Sequence, residues 1–175
     1  RKDPTMRRFR TLMILIVLLA SASLALAGPG LEKSAQPRST ADVVTAKVLP
    51  AGLTGTAGGT VSFEVDLAIA ETWHLYDHSY AEDPESFFIG VDLMPAEGAD
   101  LAGFQVTFPD GEEGEFMGEK VKMLHHHAAI DVTITLPGDA SGEVEVPFTL
   151  TAQACDDKIC LQPSDVPVTA HITVE

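Results

Sequence analysis

Positive charge is scarce in this chain. Of 175 residues, 11 are Lys or Arg against 26 Asp or Glu, and the formal net charge is −15. The first 27 residues hold five of those cations and one acid, Asp3, so the remaining 148 carry six cations against 25 acids, net −19. Nucleic acids and anionic membrane surfaces both call for clustered Lys and Arg, so neither is an expected partner. Also missing are a Gly-x-Ser-x-Gly nucleophile elbow, a P-loop and a dinucleotide-binding glycine fingerprint. No window repeats its apolar residues at helical spacing over three turns. The apolar fraction, 45%, is ordinary, so the acidity does not signal disorder, and a chain of this size has room for one core.

One long apolar run is present, near the start. Met6 opens a basic segment with Arg7, Arg8 and Arg10, Leu12 to Ala20 is unbroken apolar sequence, and Ala25-Leu26-Ala27 has the small-residue pattern of a cleavage site. The run falls short of the ~20 residues a spanning helix needs, so residues 1–27 read as upstream residues plus a cleavable signal peptide. Residues 1–5 precede that natural start. No Cys stands near the cut for lipid attachment. Residues 28–41, rich in Pro, Gly and Ser at first, read as a flexible leader, and 42–175 as the domain. The expected location is an oxidising space outside the cytoplasm, where cysteines can pair.

Within the domain, alternation of apolar and polar residues dominates. Val61, Phe63, Val65, Leu67 and Ile69 share one face of an expected strand; so do Ile130, Val132, Ile134 and Leu136, then Val144, Val146, Phe148 and Leu150, then Val166 to Val174. Turn signals separate the runs at Gly58-Gly59, Pro95 to Gly98, Pro109 to Gly111, Pro137 to Asp139 and Pro163 to Asp165. About seven to nine short strands imply an all-β, antiparallel β-sandwich, with a small closed barrel as the alternative.

The two cysteines, Cys155 and Cys160, lie where one strand ends and the next approaches. Closing so short a loop removes less unfolded-chain entropy than the ~3 kcal/mol expected for a 15-residue loop. A bond that adds little stability is a candidate for chemistry, although exported pairs are more often structural staples. Lys158 would favour a thiolate there, and Asp156 and Asp157 would oppose it.

Gln153-Ala154-Cys155-Asp156-Asp157-Lys158-Ile159-Cys160-Leu161-Gln162-Pro163 resembles the cysteine motif of the N-terminal periplasmic domain of the thiol:disulfide interchange protein DsbD. Trp73-His74-Leu75-Tyr76 is similar to that family's Gly-Trp-His-x-Tyr strand, and Glu115-Phe116-Met117-Gly118 to its capping loop, in family order. The resemblance implies an immunoglobulin-like antiparallel β-sandwich in the periplasm and a component of a protein-disulfide reductase. Its cofactor set is none beyond a redox-active Cys155–Cys160 disulfide. The electron donor would be a membrane-embedded thiol reductase domain. The acceptors would be periplasmic thioredoxin-like or disulfide isomerase proteins, including those of cytochrome c maturation. Cys160 would attack and Cys155 resolve, Phe116 would cover the sulfurs, His74 and Tyr76 would line the site, and Glu115 would handle protons. Taken alone, Trp73 and Tyr76 read more often as plain sandwich core, and Glu115 as a solvated acid. Two departures stand out: Thr72 occupies a position where glycine is usual, and Ala152 one where Tyr is common. The sequence ends without the family's membrane and thioredoxin-like domains, so its electrons would come from a separate membrane partner, unless the reading frame is truncated.

Six histidines support a rival reading. His125, His126 and His127 are consecutive and His74 and His78 form a spaced pair, which in an exported sandwich invites copper or zinc. On a strand only His125 and His127 could share a ligand set, because neighbouring side chains alternate faces. A third reading is a non-catalytic interaction domain whose disulfide never turns over.

Overall fold

A computed structural model describes residues 36–99 and 101–175. The expected signal peptide and most of the leader lie outside the described residues. A 3-10 turn (Thr40–Asp42) leads into β1 (Val44–Leu49), β2 (Leu53–Gly55), β3 (Thr60–Ile69) and β4 (His74–Tyr76). One helical turn, α1 (Ser79–Glu82), precedes β5 (Asp92–Pro95), β6 (Gly103–Thr107), β7 (Glu112–Phe116) and β8 (Glu119–His125). β9 (His127–Thr135), β10 (Gly142–Ala152), β11 (Ala154–Cys155) and β12 (Ser164–Val174) complete the chain.

Two four-stranded sheets, ordered β1-β3-β9-β6 and β2-β12-β10-β5, carry the sandwich. All their pairings are antiparallel except β2 with β12. The alternation explains the packing: Val61, Phe63, Val65, Leu67 and Ile69 are buried along β3, and Val146, Phe148 and Leu150 along β10. They meet in one core, where Phe63 and Phe148 contact edge to face with ring centroids 5.8 Å apart. Such a pair contributes about 0.5–1.5 kcal/mol beyond its burial. The polar positions of the same strands face out, as with Ser62 and Thr133, hydrogen-bonded across β3 and β9 at 2.9 Å. This is an all-β, immunoglobulin-like sandwich.

Two boundaries differ from the sequence expectation. Ser164 and Asp165, read as a turn, already belong to β12, paired with Ala152 and Thr151. The Asp165 carboxylate accepts the Thr151 hydroxyl at 2.7 Å, a cross-strand bond that suits a strand better than a turn. Ser39 to Ala41, assigned to the leader, are part of the domain. Thr40 is fully buried, its hydroxyl donating to the Gln162 carbonyl at 3.0 Å and accepting the Ala154 N–H at 2.9 Å.

A third sheet, ordered β11-β4-β8-β7, is small. One face, with Leu75, Leu124 and Ala154, belongs to the sandwich core. Its other face holds the cysteines' surroundings.

Candidate redox site

Cys155 and Cys160 are disulfide-bonded across a tight hairpin. The Leu161 N–H donates to the Ala154 carbonyl at 2.8 Å, and the Asp156 N–H to the Ile159 carbonyl at 2.9 Å. The cysteine pair between these rungs makes no backbone bond of its own, and at such positions antiparallel strands come closest. The two Cα atoms are 4.0 Å apart. The Asp156 carboxylate accepts the N–H groups of Lys158 and Ile159, both at 2.8 Å, which fixes the turn. These donors, Ile159 first, hold the carboxyl below the usual range. The two cysteines are unlike in access: Cys155 is 0% exposed, whereas Cys160 is open to solvent.

β11 pairs with β4 and β4 with β8, placing Cys155 opposite His74 and His74 opposite His125. Strand alternation then puts Tyr76 on the same face as His74, while Leu75 turns to the core. On that face Cys155, Tyr76, Phe116, Val121 and Met123 form a second buried cluster, bordered by Tyr80 and Phe88. Phe116 lies 5.9 Å from the His74 ring and 6.1 Å from those of Tyr76 and Phe88. Tyr76 and Phe88 are closer, at 4.4 Å. The sequence places Phe116 in a loop from Gly111 to Gly118. Instead it ends β7, in a hairpin with β8 closed by Met117 and Gly118, both with positive φ, 52° and 87°. That is the conformation a two-residue hairpin turn needs. At the hairpin's other end, the buried Asp77 carboxylate accepts the Gly111 N–H at 3.2 Å, and the Tyr80 hydroxyl accepts the Lys122 N–H at 3.0 Å. Sequence reasoning missed Thr40, Asp77, Tyr80 and Phe88; of these only Phe88, next to Phe87 outside the alternating runs, carries a local apolar signal that could have found it.

The remaining candidates separate. Glu115 is exposed and paired across the hairpin with Lys120, on the opposite face of β7 from Phe116. Trp73 is half-buried against the sandwich core. Ala152 is fully buried in that same core, not in the cluster around Cys155. His125 ends β8 beside His74, with ring centroids 5.7 Å apart. His127 starts β9, in the other sheet, 3.5 Å from the Asp66 carboxylate. Between them His126 has φ 58°, a left-handed break that separates the two strands and leaves His125 and His127 in different sheets. Among the described residues no three His, Cys, Asp or Glu side chains are grouped to hold a metal.

Thr72 has φ 73°. A β-branched residue is costly in this left-handed region, and the usual glycine is not. Thr72→Gly is therefore expected to stabilise the fold by about 1 kcal/mol, the left-handed penalty of about 1–2 kcal/mol less glycine's chain entropy. Urea unfolding at constant m-value would measure the gain, and a loss would contradict the strain.

Burial lowers the pKa of His74, helped by His125 and opposed by Asp157 and Asp156. Burial also pushes Tyr76 up to about 12, with Tyr80 adding to the effect. As pH falls below about 6.5 the unfolded chain takes up a proton at His74 that the folded chain resists, so the stability present above that pH declines toward acid. The carboxyls of Asp42 and Asp156, both lowered chiefly by backbone N–H donors, act in a separate window below about pH 4. Thermal midpoints should drop as pH falls below about 6.5, ahead of the carboxyl window, and His74→Phe should flatten that part of the curve. An unchanged slope would count against a neutral, buried His74.

The fold and site together define a β-sandwich domain with a disulfide set in an aromatic pocket at its end. The family model described as the N-terminal part of thiol:disulfide interchange protein DsbD matches residues 45–170. The chain belongs to that family. Among solved structures, the reduced DsbD N-terminal domain of Neisseria meningitidis is similar at 23% identity and TM-score 0.45, over 73% of this chain and 84% of that one. The N-terminal periplasmic domain of ScsB from Proteus mirabilis is similar at 11% identity and TM-score 0.48, over 73% and 43%. The complex of the Neisseria meningitidis DsbD and PilB N-terminal domains is similar at 17% identity and TM-score 0.42, over 72% and 80%. No curated protein compared with the chain matches it.

Proposed function

We propose that this protein is a periplasmic thiol-disulfide exchange module, exported by its signal peptide, that receives electrons from a membrane-embedded thiol reductase domain. It passes them to thioredoxin-like or disulfide isomerase proteins, including those of cytochrome c maturation. The observation that carries the reading is the unequal access of its two cysteines, Cys160 open and Cys155 sealed in an aromatic cluster. A staple needs no such asymmetry; a relay does, because one thiolate must reach a partner and the other only its neighbour. In the reduced protein the Cys160 thiolate attacks the partner's disulfide, and one partner sulfur leaves as a thiolate. The Cys155 thiolate then attacks the Cys160 sulfur, the second partner sulfur leaves, and the pair is oxidised as the partner gains two electrons and two protons. Phe116 covers Cys155 between encounters. DsbD family membership and the complex of a related domain with a PilB domain support a partner of the thioredoxin-like class.

Equilibration with thiol buffers of defined potential, read by mass spectrometry, tests the proposal. A reduction potential between about −180 and −270 mV, the span of known exchange proteins, is expected. A bond that persists below about −300 mV would make the disulfide a staple and overturn the relay.

A further inference from the structure

Two side-chain polar atoms are buried without a hydrogen-bond partner among the described residues, and both are on the cysteine face of the small sheet: His74 Nε2 and the Tyr76 hydroxyl. Buried polar groups are nearly always satisfied, so a pair of orphans in one place asks for an explanation. His74 pairs with Cys155 across the strands and Tyr76 shares its buried cluster, and a disulfide there offers no S–H to accept from and no thiolate to donate to. Reduction supplies both. We infer that His74 is the proton acceptor for Cys155: its Nε2 takes the Cys155 thiol proton as that sulfur closes on Cys160, while the Tyr76 hydroxyl donates to the thiolate so formed.

The need follows from burial. Cys160 can ionise against water, but Cys155 has no solvent contact, and a thiolate there lacks hydration. His74 sits directly opposite Cys155 across the strand pair and at 5% exposure is itself sealed. Its ring is neutral at pH 7, because burial disfavours its cation, and so is free to accept. From β8 it is faced by His125; Asp156, Asp157 and Lys158 of the cysteine hairpin and His126 line the same groove of about 530 Å³, an outlet through which the proton reaches solvent. Tyr76 is faced by Tyr80 and stays protonated, a donor at every working pH. The step balances: Cys155 loses a proton to His74, its sulfur bonds Cys160, the partner's sulfur leaves with the electron pair, and His74 returns the proton to that thiolate or to water.

This inference rests on the exchange reading and is tested so that the two fail separately. The reduced protein is mixed with an aromatic disulfide whose released thiolate is coloured. Cys160 attack releases the first equivalent, and Cys155 resolution the second. In the wild type the second phase should be at plateau by pH 7, well below the ordinary thiol titration near about 8.5. In His74→Gln and His74→Phe it should slow by about tenfold or more at pH 7, with the first phase little changed, and the deficit should close as pH rises toward 10 and the thiol ionises unaided. A second phase in both variants within about twofold of wild type, a deficit that persists at every pH, or a wild-type second phase that climbs with pH through 8.5 would overturn the role of His74. Absence of any second equivalent from the wild type would instead sink the exchange reading, and this inference with it.

Discussion

Cys155→Ser protein, reduced and mixed with a thioredoxin-fold protein carrying an oxidised Cys-x-x-Cys pair, is expected to stall as a mixed disulfide through Cys160. Cys160→Ser protein under the same conditions should trap at least about tenfold less. The reason is access rather than intrinsic reactivity. Exchange proceeds through a thiolate that lines up with the S–S bond it breaks, so the attacking sulfur must approach a second protein's surface. Cys160 follows the exposed Ile159 at the outer arm of the hairpin, whereas Cys155 is enclosed by Tyr76, Phe116, Val121 and Met123. Removing Cys155 leaves attack intact and abolishes resolution; removing Cys160 leaves a thiol that no partner can reach. Non-reducing electrophoresis with mass-spectrometric mapping of the linked peptides reads the result. Equal trapping by both variants, or trapping through Cys155, would mean that the cluster opens freely and that burial does not assign the roles.

Much of this site can be read in the sequence because strand alternation is a strict rule. Once Trp73-His74-Leu75-Tyr76 is read as a strand, His74 and Tyr76 must share a face that Leu75 does not, and the structure places them so. The same rule separates His125 from His126, but it misses the left-handed residue that divides β8 from β9 and sends His127 into another sheet. Glu112 to Phe116 carries no alternation of apolar and polar residues, since Glu-Glu-Gly-Glu offers nothing to bury. Its strand character comes from pairing with β8 and from anchors at Asp77 and Tyr80, more than 30 residues earlier. Thr40 shows the same limit. A small polar residue in a Ser- and Pro-containing segment reads as linker until its hydroxyl is seen bridging Gln162 and Ala154, on either side of the cysteines. Long-range satisfaction of backbone groups leaves no local pattern. Thr72 is the converse case: a departure visible in the sequence whose meaning, a left-handed backbone, required the structure.

Phe116→Ala should uncover the Cys155 side of the disulfide, the side closed to solvent. Phe116 is the phenyl ring that the β7–β8 hairpin adds, beside Val121 and Met123, to the buried cluster around Cys155, and it packs on His74, Tyr76 and Phe88 at 5.9–6.1 Å. Truncation removes that cover and leaves a cavity, at a cost of about 3 kcal/mol, the lower end for a buried Phe. The loss should register in the hairpin first, because the sandwich core, centred on Phe63 and Phe148, is a separate cluster. Reduction of the oxidised protein by a small thiol such as glutathione should accelerate by about tenfold or more, since attack depends on reaching a sulfur along the S–S axis. Phe116→Leu, which keeps an apolar cover, should fall between. The rates must be compared with global stability measured on the same variants. If small-thiol reduction follows global unfolding alone, with Ala and Leu ordered only by their stabilities, Phe116 is hairpin core and no lid. Faster reduction under conditions where the sandwich remains folded would separate the two roles, because only a local opening exposes the pair while the β3–β10 core stays intact.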